Sequence, residues 1–141
     1  MNLYAESSAV LAWLLGAPSG ERIRKALARA DMILASDLTL IECDRVLIRA
    51  HALNEMSEVQ MVERRSRLNS VATHWTVLRI SPEVVERARR SFPVEPIRTL
   101  DAIHVATALL ASSALPDLSL LTLDDRIRAA ALQLGLTVSP K

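Results

Sequence analysis

Cysteine, glycine and aromatic residues are all scarce in this chain of 141 residues. The single cysteine, Cys43, excludes an internal disulfide, and its place among helical residues predicts a small buried thiol. The three glycines, Gly16, Gly20 and Gly135, fall where elements should end, and no linker or repeat interrupts the sequence. Stability must therefore come from packing, and we expect residues 1–141 to form one domain that buries roughly two-thirds of its unfolded surface.

Long apolar runs and a strong excess of basic charge are absent as well. No stretch approaches the roughly 20 apolar residues that a bilayer span needs, and no basic leader precedes an uninterrupted apolar segment at the N-terminus. We therefore expect a cytoplasmic protein that makes no membrane contact. The formal charge of +1 excludes a strongly basic, non-specific polyanion binder, but it leaves local basic patches open.

Short apolar runs alternate along the chain with longer amphipathic segments. This alternation is typical of βα units, so it predicts an α/β fold around a mostly parallel sheet. Strands are predicted at residues 3–5, 32–35, 75–80, 118–121 and 136–138. Helices are predicted from Ser7 or Ser8, after residues 18–20, from Ser36, over 57–72, from Ser81 to about Ser91, over 99–111 and over 125–134.

Four acids stand at equivalent places in this pattern. Glu6 ends the first strand, Glu42 lies early on the helix after the second, Asp101 opens a helix, and Asp124 ends the fourth strand. The carboxyl ends of parallel strands meet at one edge of an open α/β sheet, so these acids should converge there. Carboxylates that close together cannot all stay ionised without a counter-charge. The pattern therefore predicts a bound cation.

The chemistry of the four acids favours one class of cation. Oxygen ligands without paired His or Cys favour Mg²⁺ or Mn²⁺ over zinc, and such an ion can activate water to attack a phosphodiester. Taken singly, each acid also has a simpler explanation, because an acid near a helix N-terminus complements the helix dipole. Glu42 fits that explanation least, since it lies between Ile41 and Cys43 on an otherwise apolar helix.

Four motifs, in this order, resemble those of PIN domains and especially of VapC toxins. YAESSAV at 4–10 resembles the family's Y-L-D-T-S-A-L, and SDLTLIE at 36–42 resembles S-x-x-T-x-x-E. LDAIHVATAL at 100–109 is close to the family's third motif and is the most specific of the four, and TLD at 122–124 matches T-x-D. The resemblance covers essentially the whole chain. It implies a three-layer α/β/α domain with a central sheet of about five strands.

The same resemblance implies roles for particular residues. It makes Glu6, Glu42, Asp101 and Asp124 catalytic acids, of which Glu6, Asp101 and Asp124 bind the metal and Glu42 is a further candidate ligand. Asp125 is then either an extra metal-site acid or the cap of the last helix. Supporting roles fall to two hydroxyls, that of Ser8 near the metal and that of Thr122, which orients the site.

Two more residues near these motifs are candidates for binding RNA phosphate. Arg98 precedes the third motif and either binds phosphate or neutralises a carboxylate. His104 lies one helical turn after Asp101, so it shares that face of the helix. It either contacts phosphate or is a hydrogen-bonded structural residue.

One position departs from the family pattern. Where PIN domains have aspartate as the first acid, this chain has Glu6, whose extra methylene lengthens the side chain by roughly 1.5 Å. Octahedral Mg²⁺ tolerates such a displacement poorly. We expect activity to be retained. The other outcomes are a preference for Mn²⁺ and a weakened nuclease that mainly binds.

The function that the resemblance implies is that of a metal-dependent endoribonuclease toxin acting on structured RNA such as tRNA. Its partners would be a cognate VapB-like antitoxin and a second copy of the chain, within a homodimer or a larger toxin–antitoxin assembly. A second interpretation is a PIN-fold RNA-binding or interaction module without useful catalysis. A third is a phospho-receiver domain, but receivers need a late lysine near the site, and here the only late lysine is the terminal Lys141.

Overall fold

A five-stranded sheet, parallel throughout, forms the centre of the protein in a computed structural model that describes residues 1–141. The strand order is β3-β2-β1-β4-β5. Both the predicted sheet and its number of strands are confirmed. The strands are β1 (Asn2–Ala5), β2 (Met32–Ser36), β3 (Thr76–Leu78), β4 (Leu118–Leu121) and β5 (Thr137–Ser139).

Seven helices connect and cover these strands. None of them combines the length and apolar composition that crossing a bilayer requires. Ser36, Ser57 and Ser81 cap three of the helices through their side chains. The helices are α1 (Ser7–Leu14), α2 (Gly20–Arg29), α3 (Asp37–Ala52), α4 (Glu58–Ala72), α5 (Pro82–Ala88), α6 (Thr99–Ala114) and α7 (Asp125–Gln133).

The helices form two layers, one on each face of the sheet. Successive residues of β1 point to opposite faces, so Tyr4 packs with side chains of α5, α6 and α7 in the largest core cluster. Leu3 and Ala5 pack on the other face with residues of α1, α2, α3 and α4. This is the three-layer α/β/α arrangement. Its strand order differs from the 2-1-3-4-5 order of receiver domains, which excludes the receiver interpretation.

Several predicted boundaries change in the structure. The predicted cap of α1 at Ser7 or Ser8 is wrong, because Glu6 has extended backbone angles (φ −84°, ψ 153°) and its carboxylate accepts the Ser8 backbone N–H. Gly20 begins α2 and does not end an element. A Cβ at Gly20 would lie 2.5 Å from the Ala12 carbonyl oxygen, so glycine allows α2 to approach α1.

Other boundaries differ by a few residues at each end. The edge strand β3 is shorter than predicted because its only partner is β2, which it pairs along three residues. Helix α5 ends at Ala88, whereas α6 continues to Ala114. The predicted burial of Cys43 is confirmed.

The sheet register sets the position of the acids. Ala5 at the end of β1 lies beside Leu121 at the end of β4, and the Glu6 backbone N–H donates to the Leu121 carbonyl at 3.1 Å. Glu6 therefore lies next to Thr122, and the two segments that leave β1 and β4 share one edge of the sheet.

Candidate metal centre

Glu6 is held at this edge by hydrogen bonds to both of its carboxylate oxygens. The residue is 4% exposed. Oε1 accepts the Ser8 backbone N–H at 3.1 Å, and Oε2 accepts the Ser8 hydroxyl and, at 2.8 Å, the Thr122 hydroxyl. The longer side chain of glutamate thus reaches a fixed position between these two hydroxyls.

Ser8 and Thr122 in turn connect Glu6 with the chain that leads to Asp124. The Ser8 hydroxyl oxygen accepts the Leu123 backbone N–H at 2.9 Å, and the Thr122 hydroxyl oxygen accepts the Asp124 backbone N–H at 3.1 Å. The two hydroxyls therefore orient the Glu6 carboxylate and fix the backbone that leads to Asp124.

Glu42, on α3, meets Glu6 through a buried histidine. The Ser7 hydroxyl donates to Glu42 Oε1 at 2.7 Å, and His104 Nε2 lies 2.5 Å from the same oxygen. His104 Nε2 is also 4.0 Å from Glu6 Oε1. Ligand atoms of Glu6, Glu42 and His104 all lie within 4.8 Å of one another, so two acids that are far apart in sequence converge.

The surroundings of Glu42 favour its ionised form. Burial acts to raise the pKa of Glu42, but hydrogen bonds from His104 and Ser7, together with the charge of Arg98, outweigh burial and place the pKa below its ordinary value. Glu42 is therefore a carboxylate, able to accept hydrogen bonds or to bind a cation.

Asp101 and Asp124 are joined by Arg98. The Arg98 Nε donates to Asp101 Oδ2 at 2.7 Å, and Nη2 donates to Asp124 Oδ2 at 3.3 Å. The hydrogen bond to Asp101 is the main cause that raises the pKa of Arg98. The other oxygen of Asp124 accepts the backbone N–H groups of Arg126 and Ile127, so Asp124 is also the N-cap of α7.

The structure corrects two further expectations. Asp125 is not the cap of α7, because Asp124 fills that position, and Asp125 lies exposed in the first turn. A phosphate-binding role for His104 does not fit its environment. The residue is 1% exposed and both ring nitrogens have hydrogen-bond partners inside the protein, which fits the structural interpretation.

Sequence reasoning missed two residues of this centre. Ser7 was considered only as a helix cap, yet its hydroxyl contacts both Glu42 and His104. The Tyr4 hydroxyl lies 2.9 Å from His104 Nδ1. Both residues lie in the first motif, but nothing in the order of residues indicates that they face a histidine almost a hundred positions away.

An open cavity of about 590 Å³ adjoins Asp101, whereas Glu6, Glu42 and Asp124 do not line it. Its lining includes basic and acidic side chains, among them Arg98, Asp101, Asp125 and Arg126. Arg98 therefore faces both the acidic centre and a space that an extended polyanion can enter.

The donor set fits a hard divalent cation. Glu6 and Glu42, which converge, and Asp101 and Asp124, which share Arg98, all offer carboxylate oxygens, whereas the buried Cys43 thiol packs in an apolar cluster. Mg²⁺ and Mn²⁺ prefer such ligands, and Mg²⁺ usually binds to a few carboxylates while it keeps several waters. The residues present are thus compatible with the ion that the sequence predicted.

Comparison with known proteins gives a family match over most of the chain. The model of the PIN domain family matches residues 3–132. Ribonuclease VapC46 of Mycobacterium tuberculosis is 32% identical over 136 residues, which are 96% of this chain and 95% of that protein.

Solved structures share the fold at low sequence identity. The M. tuberculosis toxin VapC20, described as cleaving the sarcin–ricin loop, superposes with a TM-score of 0.64 at 15% identity, over 91% of this chain and 94% of that one. A chain of a toxin–antitoxin complex from Klebsiella pneumoniae superposes with a TM-score of 0.62 at 20% identity, over 99% and 97% of the two chains. At these identities the likeness concerns the fold alone.

Proposed function

This chain belongs to the PIN domain family, and on that premise we propose that it is a metal-dependent endoribonuclease toxin. In this proposal it acts in the cytoplasm as a single domain, cleaves structured RNA such as tRNA, and is neutralised by a cognate VapB-like antitoxin. The observations that carry the proposal are two: Glu6 and Glu42 converge at His104, and Asp101 and Asp124 meet at Arg98, beside a cavity that Asp101 and Arg98 line.

We assign the acids the task of holding Mg²⁺ or Mn²⁺. Glu6, Asp101 and Asp124 would be ligands, with Glu42 as the fourth acid of the centre and the exposed Asp125 available only at its margin. When bound, the cation would lower the pKa of an attacking water and neutralise charge on the scissile phosphate. Ser8 and Thr122 keep the Glu6 carboxylate in place, which matters because octahedral Mg²⁺ requires near-ideal ligand positions.

Arg98 is the proposed contact for an RNA phosphate. Its side chain is 58% exposed and lines the cavity, so it can turn from the two aspartates towards a ligand in that space. A guanidinium binds phosphate through two parallel hydrogen bonds, the same geometry in which it binds carboxylates. The resemblance of this chain to ribonuclease VapC46 supports RNA as the substrate, and the description of VapC20 supports a structured RNA.

Two kinds of protein partner belong to the proposal. The toxin–antitoxin complex among the structures of the same fold supports an antitoxin partner. Two copies of the chain would form a homodimer, alone or within a larger toxin–antitoxin assembly.

A second function is favoured by one observation, the hydrogen bonding of the Glu6 carboxylate. Its carboxylate already accepts three hydrogen bonds from Ser8 and Thr122, and it replaces the shorter acid of the family. If those contacts hold the carboxylate out of the position that a cation requires, the chain would keep the fold and the RNA surface but lose useful catalysis.

The test is cleavage of total cellular RNA by purified, antitoxin-free protein in Mg²⁺, in Mn²⁺ and in EDTA. Wild type should cut in either metal and not in EDTA, and Asp101→Asn should abolish cutting. Asp117→Asn is the matched control, because Asp117 contacts Asn2 at the amino end of the sheet, opposite the acids. Glu6→Asp measures the effect of the longer acid.

The results of this assay distinguish the metal-dependent nuclease from the RNA-binding module without useful catalysis. Cutting that persists in EDTA or in Asp101→Asn would contradict the metal-dependent nuclease. Cutting by Glu6→Asp but not by wild type would support the second function, and RNA binding by wild type should then survive.

A further inference from the structure

We propose that His104 is a positioning residue: with Ser7 it holds the Glu42 carboxylate in the metal centre and does not itself bind the cation. The inference rests on the proposed function, since it concerns the same centre. By distance alone His104 could itself bind the cation, because its ligand atom lies within 4.8 Å of ligand atoms of Glu6 and Glu42.

The hydrogen-bond pattern decides where the proton of His104 lies. A carboxylate only accepts hydrogen bonds, so the Ser7 hydroxyl, 2.7 Å from Glu42 Oε1, gives its one proton to Glu42. That hydroxyl therefore has no proton left for His104, and the 3.0 Å contact between Ser7 Oγ and Nε2 requires the proton on Nε2. The same N–H points to Glu42 Oε1 at 2.5 Å.

A protonated ring nitrogen has no lone pair for a cation. Nε2 therefore acts as a donor to Glu42. The other nitrogen, Nδ1, faces away from the acids towards the Tyr4 hydroxyl at 2.9 Å. Neither nitrogen is available as a ligand in this arrangement.

Tyr4 supports this assignment from the opposite side of the ring. The Tyr4 side chain is fully buried, and its hydroxyl lies within hydrogen-bond distance of Nδ1, to which it can donate its proton. The two rings meet edge to face, with centroids 6.0 Å apart and planes at 72°. Tyr4 thus fixes both the orientation of the imidazole and the nitrogen that carries the proton.

Residues of three other elements contact the His104 ring, so the ring can align side chains that belong to different parts of the fold. Tyr4 comes from β1, Ser7 from α1 and Glu42 from α3, whereas His104 projects from α6 on the same face as Asp101. Helix α6 therefore supplies one acid directly and aligns a second acid from another helix. The Glu42 side chain is 26% exposed, so without these donors it has room to rotate towards solvent.

The test compares a substitution that keeps a donor with one that does not. In His104→Gln the side-chain amide can still donate to Glu42, whereas His104→Leu has no donor. Loss of a partner that orients a metal ligand typically weakens metal affinity by about 10- to 100-fold. We expect that loss for Mn²⁺ in His104→Leu, with His104→Gln close to wild type. The Kd is measured by electron paramagnetic resonance of free Mn²⁺, and urea unfolding is recorded on the same samples.

Two further variants separate positioning from general destabilisation. Val105→Ala creates a cavity at a fully buried position on the same helix, so it should lower stability and leave the Mn²⁺ Kd unchanged. Ser7→Ala removes the other donor to Glu42 with little change in volume, and it should weaken Mn²⁺ binding less than His104→Leu. It keeps the inference testable should His104→Leu fail to fold.

The inference is overturned by any of three results. These are wild-type affinity in both His104→Leu and Ser7→Ala, equal weakening in His104→Gln and His104→Leu, and weakening in Val105→Ala as large as in His104→Leu. If wild type binds Mn²⁺ and one of these three results is obtained, the role of His104 is wrong, but the proposed nuclease function still stands. Absence of Mn²⁺ binding by wild type would overturn the metal centre and the role of His104 together.

Discussion

At the scale of single residues, the chain itself provides two different kinds of partner for the acids of this centre. Glu6 and Glu42 accept hydrogen bonds from buried hydroxyl and imidazole groups, whereas Asp101 and Asp124 share the charged guanidinium of Arg98. Glu6 and Glu42 are thus held by hydrogen bonds from buried groups, and Asp101 and Asp124 by ion pairs with Arg98.

Because Arg98 uses carboxylate oxygens that a cation would use, the two should compete. Surface ion pairs contribute roughly 0.2–1 kcal/mol, and the Arg98 side chain is 58% exposed, so Arg98→Gln should tighten Mn²⁺ binding by about 1.4- to fivefold. The measurement is a calorimetric Mn²⁺ titration. Arg24→Gln is a matched control, because Arg24 pairs with Glu21 at the same i, i+3 spacing on exposed α2. Weaker binding by Arg98→Gln would mean instead that Arg98 holds the aspartates in the geometry of ligands.

The lowered pKa of Glu42 gives the protein a dependence on pH. A carboxyl whose pKa is lower in the folded than in the unfolded chain stabilises the fold above the unfolded value of 4.5, and that stability is lost as the pH falls through the folded pKa. The free energy of unfolding of wild type should therefore exceed that of Glu42→Gln at pH 7, and the difference should shrink below about pH 4.5. Urea titrations across this range test it, and a difference independent of pH would contradict it.

At the scale of elements, the close contact between α1 and α2 depends on one small residue. Added at Gly20, a Cβ would meet the backbone of Ala12 and Trp13, which cannot rotate away as a flexible side chain would. Helix α1 follows directly from Glu6 and carries Ser7 and Ser8 in its first turn. Displacement of α1 would therefore be felt at the metal centre.

We predict that Gly20→Ala lowers the free energy of unfolding by about 1–3 kcal/mol, the usual cost of overpacking. Ser19→Ala at the preceding position is the control, because the Ser19 side chain makes no capping hydrogen bond and its loss should change stability by less than about 0.5 kcal/mol. Chemical denaturation measures both. Equal stability of the two variants would show that the helices can separate without cost.

At the scale of the whole molecule, the acids link the two helical layers across the sheet. The residues of the centre come from α1 and α3 on one face and from α6 on the other, with Asp124 at the start of α7. A cation bound among them would therefore stabilise the complete fold rather than one helix.

Mg²⁺ at about 100 times its Kd should stabilise the protein by about 2.7 kcal/mol, as mass action requires of a ligand that binds only the folded chain. For a chain of this size the midpoint of thermal unfolding should rise by on the order of 10 °C. Differential scanning calorimetry measures the shift, which EDTA should reverse and Asp101→Asn should abolish. An equal shift in Asp101→Asn would place the stabilising ion elsewhere.

The sequence by itself determined the α/β class, the five strands of a parallel sheet and the place of Glu6 beside the segment that leaves β4. This was possible because periodicity and capping are local properties, and because parallel strands place the residues that follow them at a common edge. The four motifs in their order, LDAIH the most specific among them, added the family and with it the three-layer arrangement.

Only the tertiary structure decided which acid pairs with which donor. The contacts of Glu42 with Ser7 and His104 join residues 35 and 62 positions apart, and that of Arg98 with Asp124 spans 26. Such contacts depend on strand order, on the direction of each helix face and on the exclusion of water from the site, none of which local sequence specifies. For the same reason the sequence left His104 open between a phosphate contact and a structural residue, whereas the structure buries it and joins it to Tyr4 of β1.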